Sequence, residues 1–484
     1  MTASSNLIDR AATKVSLVDV ERGWSETLRG SLILKPLFGI FDSVQTIVPP
    51  DLGRIGTILQ NLSFLVTVLL FGLIGLPQFA NDKLGLAVVI FAGLGLWLVG
   101  RLLGGAERRK FNAFDAIVLL YLAANIVAAF SSHYFNPSLK GLFKVCVYIG
   151  SYFLFSAVLT GSLTRKLITL AMALTCGTAL SLYGFYQYKI GVAPLATWED
   201  PTVESTGTRI FATLNNPNLL AGLLVPLASI GVGLGLGFFA QFKALGKPKY
   251  LVPALAAFGT GAIISLATIL TQSRGGYAGL AAGLGILIYI SSLYLWVNHK
   301  KLRFYVVVAA LLLVCGGAGA VMVVPALNQR VQSMFVGREH SSNAYRMNVY
   351  ASSAKMFRDN WWIGTGPGNE TFRLAYGLYM VSSYDALGTY CVPLEVAVEA
   401  GIPGLLAFLA MVGCALARAH LKFWDRNGNM IGRWLAATMV AALIGLMVHG
   451  MVDTVFYRPQ VHFLFWLILA VMVTPDEPGT ATAA

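Results

Sequence analysis

The sequence predicts an all-α, polytopic integral membrane protein with about twelve transmembrane helices and a long, partly helical loop on the extracytoplasmic side. Two observations lead to this prediction. Hydrophobic residues make up 56% of the 484 residues and charged residues only 12%, whereas an ordinary soluble domain is about a quarter charged. In addition, apolar stretches of about 20 residues, the length that crosses a bilayer as a helix, recur along the chain.

The apolar stretches divide the chain into an N-terminal segment (1–58), a transmembrane domain (59–474) and a short tail (475–484). The predicted spans, with approximate bounds, are 59–80, 84–104, 112–130, 141–160, 164–188, 217–239, 250–271, 276–298, 302–325, 394–416, 432–455 and 459–474. The long loop of the transmembrane domain covers 326–393 and is expected to contain helices, because structureless loops of this length are uncommon. Residues 32–41 of the N-terminal segment have the pattern of an amphipathic helix at the membrane surface.

The distribution of positive charge predicts the orientation. With twelve spans the two termini lie on the same side, and most of the 35 Lys and Arg residues then fall in segments on that side. Cytoplasmic loops are enriched in Lys and Arg, so both termini are expected in the cytoplasm. The net charge of +13 is therefore explained by topology and by contact with anionic membrane lipids. Nucleic acid is not expected as a partner, because no basic face with interleaved aromatic residues is present.

The predicted topology brings three arginines to the extracytoplasmic side. Arg209 precedes a helix start at which Asn216 and Pro217 are typical capping residues. Arg274 follows a tight link between two spans, and Arg346 lies in the long loop. These arginines are candidate binding residues for an anion or a diphosphate, although cations at span ends also simply extend toward lipid headgroups.

Four further polar residues are expected at the same side. Glu395 and Glu399 are one helical turn apart at the start of a span, where carboxylates also favour the helix N-terminus without further function. His449 and Asp453 are four residues apart near the end of the next span, which predicts a shared helix face. They are either a hydrogen-bonded pair or candidate proton-linked groups, since ionisable groups inside a membrane are often functional.

No sequence pattern indicates a metal site or a bound cofactor, and neither is expected. The cysteine spacing does not fit a metal site. The run Gly364-Thr365-Gly366-Pro367-Gly368-Asn369 is interpreted as a turn, because no strand precedes it and no lysine follows it as a phosphate-binding loop requires.

Several motifs of the chain, from about residue 60 to 470, resemble those of the O-antigen ligase and polymerase superfamily. They are Arg209 with Asn215-Asn216-Pro217-Asn218, then Thr271-Gln272-Ser273-Arg274-Gly275-Gly276, and the stretch from Arg346 through the Gly364 turn to Glu399-Ala400-Gly401-Ile402-Pro403-Gly404. Three others are similar to the IctB-type branch of cyanobacteria, which is named for bicarbonate transport. They are Ser333-Met334-Phe335-Val336-Gly337-Arg338-Glu339, Val392-Pro393-Leu394-Glu395-Val396-Ala397-Val398-Glu399, and His449-Gly450-Met451-Val452-Asp453-Thr454 leading to Pro459.

The superfamily resemblance implies that Arg209 and Arg274 bind the diphosphate of a lipid-linked sugar donor. It also implies a histidine general base in the long loop, but Tyr390 stands at the matching position here. A phenol with a pKa near 10 is a poor base at neutral pH. Tyr390, Glu395 and Glu399 are the candidate catalytic residues if the chain is an enzyme, which would then be a metal-independent glycosyltransferase.

Two functions follow from the resemblance. The IctB-type branch implies inorganic carbon (bicarbonate) transport, or a transport-associated role, in the plasma membrane of a cyanobacterium, and this function is expected first. The alternative is a membrane glycan ligase or polymerase that transfers a lipid-diphosphate-linked sugar to an acceptor at the outer face. The expected partners are accordingly membrane lipids and either bicarbonate or a lipid-linked saccharide.

Overall fold

The computed structural model describes residues 3–21, 49, 52–77, 83–105, 109–193, 208–323, 328, 332, 341–382 and 384–477. These residues form helices and connecting turns, and no strand occurs among them. The predicted all-α fold is therefore confirmed for this part of the chain. The predicted surface helix at 32–41 and the motif at 333–339 lie outside the described residues.

Fifteen α-helices are described. In chain order they are α1 (Ala3–Ser16), α2 (Leu52–Leu73), α3 (Lys83–Leu102), α4 (Ala113–Phe130), α5 (Phe135–Leu159), α6 (Leu163–Ile190), α7 (Pro217–Leu245), α8 (Leu251–Leu270), α9 (Arg274–Asn298), α10 (Arg303–Val323), α11 (Ser341–Asp359), α12 (Asn369–Tyr376), α13 (Val392–Trp424), α14 (Met430–Gly450) and α15 (Pro459–Val473).

Ten of the described helices are long and apolar enough to cross a membrane, so the chain is an integral membrane protein. Two other helices, α10 and α15, coincide with the remaining predicted spans. α15 has only 15 residues, or about 22 Å at 1.5 Å per residue. This is shorter than the roughly 30 Å of the hydrocarbon core.

Protein rather than lipid surrounds α15. All of its residues except His462 are buried, and it packs against α5, α13 and α14. Its last carbonyls lie where no water reaches them and need a donor from the protein. The buried Lys166 supplies it, because its Nζ is 2.6 Å from the Thr474 carbonyl and 3.4 Å from the Val471 carbonyl.

The two ends of the helix bundle differ in the chain segments that lie there. At one end, the loop end, lie residues 208–216, the 271–273 link and the described part of the long loop. At the other, the tail end, Arg418 donates to the Ser16 carbonyl, 3.1 Å away, and Lys422 lies 2.6 Å from Asp476. The N-terminal helix and the C-terminal tail thus lie at the same end, which agrees with the parity of the predicted spans.

The close contact between α7 and α8 holds together the helices that carry the loop end. A Cβ added to Gly231 of α7 would lie 2.7 Å from the Gly261 Cα of α8, so only glycine permits this approach of the two backbones. Small residues at helix contacts are typical of membrane bundles, where close packing replaces the hydrophobic driving force. α7 also packs against α9 and α14, and these contacts fix the starts of α7 and α9 relative to each other.

The described part of the long loop contains two helices, α11 and α12, as the sequence predicts. Val349 and Met356 of α11 pack with Phe372 and Tyr376 of α12 and with Val398 of α13 in one buried cluster. The loop is therefore fixed on the first turns of α13, where the two predicted glutamates lie.

Candidate functional site

Arg209 connects the starts of two helices at the loop end. Its Nε donates to the Thr271 carbonyl, 3.0 Å away, in the link between α8 and α9. Its Nη2 lies 3.2 Å from Oδ1 of Asn218, in the first turn of α7. The predicted cap is present, because the Asn216 side chain accepts from the Asn218 and Leu219 N–H groups. Arg209 therefore lies where two helix N-termini meet, and N-termini attract negative charge.

Gln187 of α6 determines the path of the chain after Arg209. Its Oε1 accepts from the N–H groups of Phe211 and Ala212, at 3.1 and 2.8 Å, and its Nε2 donates to the Ala212 carbonyl. The Gln187 side chain thus supplies the hydrogen-bond partners that the backbone of this buried segment needs. The sequence analysis missed it, because a lone glutamine in an apolar stretch gives no sign of its partner.

Arg274 is the first residue of α9. The Ser273 side chain caps this helix by accepting from the Gly276 N–H, 3.1 Å away. The next residue, Gly275, contacts His449, since a Cβ added there would lie 2.6 Å from Cδ2 of the imidazole. Arg209 therefore contacts the first residue of the 271–273 link, and Arg274 directly follows its last residue. His449 packs against Gly275, next to Arg274.

Arg346 of α11 forms an ion pair with Asp453. Its Nη2 is 3.2 Å from Oδ2 of Asp453, with only 17% and 6% of the two side chains exposed. The prediction that Asp453 shares a helix face with His449 is wrong, because α14 ends at Gly450 and the chain turns at Met451. Beyond this turn Asp453 pairs with Arg346, and it also interacts electrostatically with His449.

Tyr390 lies beside the Arg346–Asp453 pair. The Arg346 guanidinium is 5.8 Å from the centre of the Tyr390 ring, and the Tyr390 carbonyl accepts from the Tyr350 hydroxyl, 3.1 Å away. Burial raises the pKa of the Tyr390 phenol above its ordinary value, Asp453 adds to the rise, and Tyr345 and Arg346 oppose it. Burial likewise raises the pKa of Tyr350 to about 12. Neither phenol is ionised at neutral pH.

Backbone strain is concentrated around these residues. Four of the five described non-glycine residues with positive φ lie at the loop end. They are Ala212 (φ 46°), Asn215 (φ 60°), Gln272 (φ 51°) and Tyr390 (φ 58°). Each such residue costs on the order of 1–3 kcal/mol, and such strain persists where the surrounding structure fixes it, often at functional sites.

The two glutamates differ in their partners. Glu399 accepts from the Gly368 N–H, 2.8 Å away, and the neighbouring backbone of Thr365 and Gly366 bonds to α13. The Gly364 turn is therefore attached to α13 through Glu399, which agrees with its interpretation as a turn. Glu395, one turn earlier, has a buried Oε2 without a hydrogen-bond partner among the described residues.

The candidate residues thus lie on adjoining segments at the loop end. Arg209 contacts Thr271 of the 271–273 link, Arg274 directly follows this link, and His449 lies against Gly275 of α9. Arg346 and Asp453 form a pair beside Tyr390, and Glu395 and Glu399 lie on the adjoining turns of α13. In the described part of the chain, no group of three or more His, Cys, Asp or Glu side chains is arranged to bind a metal ion.

Comparison with known proteins gives one match. Residues 259–409 match the family model described as O-Antigen ligase. The segment runs from α8 into α13 and contains Arg274, Arg346, Tyr390 and both glutamates, while Arg209, His449 and Asp453 lie outside it. None of the curated proteins matches the chain. The match covers less than half of the chain, and it identifies an O-antigen ligase-like region within this polytopic membrane protein.

Proposed function

We propose that the chain is a membrane glycan transferase. Its donor is a saccharide linked to a lipid through a diphosphate, and its acceptor is a second saccharide or a lipid-linked glycan. The observation that carries the proposal is the position of Arg209 and Arg274 on either side of one link, between the starts of α7 and α9, with Arg274 inside the O-antigen ligase-like region.

The charge of the site fits a diphosphate better than a single small anion. A diphosphate ester carries at least two negative charges and several acceptor oxygens, and guanidinium groups bind such oxygens in pairs. Arg209, Arg274 and two helix N-termini at the loop end would supply donors for this ligand, and Arg346 lies at the same end. A single bicarbonate ion carries one charge and needs fewer donors.

Bicarbonate transport, the function expected first from the sequence, has less support. The family match corresponds to the alternative, the transfer of a lipid-linked saccharide, and nothing in it relates to inorganic carbon or to cyanobacteria. We therefore place the transferase first.

The proposed reaction needs no metal. The hydroxyl of the acceptor attacks the anomeric carbon of the donor sugar, and the bond from this carbon to the diphosphate oxygen breaks. Negative charge then develops on the leaving lipid diphosphate, where Arg209 and Arg274 stabilise it. Donors arranged in advance around a developing charge usually make the largest contribution to catalysis.

The test is donor binding and transfer by purified protein in lipid nanodiscs. The donor probe is a polyprenyl-diphosphate-linked oligosaccharide, and the acceptor is a free oligosaccharide. Arg209→Ala and Arg274→Ala should each weaken donor binding by about 2–5 kcal/mol, the cost of truncating one partner of a buried charge-assisted contact. Arg426→Ala, in the exposed turn at the tail end, is the matched control and should bind as the wild type does.

One outcome would refute the proposed transferase function. Wild-type protein that binds no donor, but carries bicarbonate into proteoliposomes in an Arg274-dependent way, would refute the transferase and restore the transporter.

A further inference from the structure

The two glutamates at the start of α13 have the same chemistry but different surroundings. Glu399 is engaged by the Gly368 N–H, and this contact attaches the Gly364 turn to the helix. Glu395 is half-buried, and its Oε2 lies inside the protein without a hydrogen-bond partner among the described residues. A buried carboxylate oxygen without a partner is costly, and such a group needs an explanation.

The Glu395 carboxylate lies close to the segment that carries the Arg346–Asp453 pair. A Cβ added to Gly388 would be 2.9 Å from Oε2 of Glu395 and 3.0 Å from Cγ2 of Thr454. Glu395 is therefore next to the segment after α14, in which Asp453 pairs with Arg346. It also interacts electrostatically with Tyr390, the residue at the position of the expected base.

We propose that Glu395 is the general base of the transfer reaction; this inference rests on the proposed transferase function. In the reaction the acceptor oxygen forms a bond to the anomeric carbon as the bond from that carbon to the diphosphate breaks. The hydroxyl proton passes to the Glu395 carboxylate, and the lipid diphosphate leaves with the electron pair of the broken bond. No oxidant, metal or further reactant is needed.

The other carboxylates of the region are already occupied. Asp453 accepts from Arg346 and from the Thr454 N–H, 2.9 Å away. Glu399 accepts from the Gly368 N–H. Glu395 also accepts a hydrogen bond from the Thr389 backbone, but its Oε2 accepts none among the described residues. A base must have an oxygen available to the proton that it removes.

His449 and Tyr390 are less suitable. Both ring nitrogens of His449 are without hydrogen-bond partners among the described residues, but the residue is fully buried against Gly275 and Gly279 of α9, which leaves no room for an acceptor sugar. Burial raises the pKa of Tyr390, so its phenol is protonated at neutral pH. Glu395 is thus the group that combines partial exposure of the residue with an oxygen, the enclosed Oε2, that accepts no hydrogen bond from the described residues.

The matched pair Glu395→Gln and Glu370→Gln tests the proposal. Each substitution keeps the shape of the side chain and removes the charge, and Glu370 is an exposed glutamate of α12 in the long loop. Glu395→Gln should lower kcat by roughly 10²–10⁴-fold, the usual contribution of a general base, while the Kd for the polyprenyl-diphosphate donor stays within about threefold. Glu395→Asp should retain part of the activity. Glu370→Gln should keep kcat near the wild-type value, because Glu370 is exposed and pairs only with the exposed Lys140 among the described residues.

The outcomes separate this inference from the proposed function. A wild type that transfers sugar together with a Glu395→Gln variant of unchanged kcat would overturn the inference and leave the transferase in place. Loss of donor binding in Glu395→Gln would assign Glu395 a structural role and would also overturn it. A wild type that neither binds the donor nor transfers sugar would overturn both.

Discussion

The guanidinium of Arg346 lies 3.2 Å from the carboxylate of Asp453, although α12, α13 and α14 separate the two residues in sequence. The pair attaches α11 to the end of α14. Because both side chains are largely buried, removing one charge leaves the other without compensation. Such a loss costs about 3–5 kcal/mol in a buried pair. We therefore expect Asp453→Asn to lower the thermal unfolding temperature in detergent.

The matched control is Asp359→Asn. Asp359 pairs with Arg358 at a similar distance, 3.2 Å, but the two side chains are 43% and 77% exposed. An exposed pair contributes only about 0–1 kcal/mol. Equal losses of stability in the two variants would show that the Arg346–Asp453 pair is not structurally important.

Tyr390→Phe should leave sugar transfer within about threefold of the wild type. An unshifted phenol is ionised in only about one part in a thousand at pH 7, and burial lowers this fraction further by raising the pKa of Tyr390. The hydroxyl is therefore not the base. Tyr390→His should retain or increase transfer, because an imidazole is a competent base at this pH. Initial rates at saturating donor measure both effects, and a loss of more than a hundredfold in Tyr390→Phe would assign the hydroxyl a catalytic role.

The spanning helices could be predicted because an apolar stretch is a local property of the sequence. The predicted starts at 112 and 217, for example, agree with α4 at Ala113 and α7 at Pro217. α1 could not be predicted in this way. It is mostly polar, and it is fixed by contacts with α13, such as that between the Ser16 carbonyl and Arg418.

The site was predictable to the extent that its motifs are local. The cap at Asn216 and the link before Arg274 are short patterns, and both are present. The pairing of Arg346 with Asp453 depends on where distant segments pack, which no local pattern contains. The same applies to the difference between Glu395 and Glu399, since it arises from a contact with Gly368 in the long loop.

The orientation of the bundle remains a prediction. We expect the loop end to face the outside, because positively charged segments stay in the cytoplasm. The test uses a cysteine-free background with one cysteine introduced at Glu370, exposed at the loop end, or at Arg426, exposed at the tail end. A membrane-impermeant maleimide on intact cells should label the first and not the second. The reverse pattern would invert the topology.

Gly401→Ala should destabilise the protein by about 2–4 kcal/mol, the combined cost of a left-handed backbone and of overpacking. Gly401 has φ 64° inside α13, and a Cβ added there would overlap the Trp362 carbonyl. Gly285→Ala in α9 is the control, because no atom of another described segment lies within 4 Å of the added Cβ. The measurement is the unfolding temperature, and equal temperatures for the two variants would contradict the close contact between α13 and the long loop.

The stability contributed by Asp476 should depend on pH. Burial opposes its charge, but Lys166 and Lys422 together keep the pKa of Asp476 below its ordinary value. A carboxyl whose pKa is lower in the folded state stabilises the fold above the unfolded pKa, about 3.9, and loses this contribution as the pH falls through the folded pKa. The unfolding temperature of Asp476→Asn should therefore lie well below that of the wild type at pH 7, and the difference should narrow below about pH 4.

Taking the difference between variant and wild type removes the effect of the other carboxyl groups, which titrate in both proteins. Lys166 explains why the loss at pH 7 should be large: it is fully buried, its Nζ is 2.8 Å from Asp476, and it also binds the last carbonyls of α15. Asp19→Asn, at an exposed position at the tail end, is the control and should unfold near the wild-type temperature at both pH values. A difference for Asp476→Asn that stays constant from pH 7 to below pH 4 would show that the Asp476 charge does not stabilise the tail end.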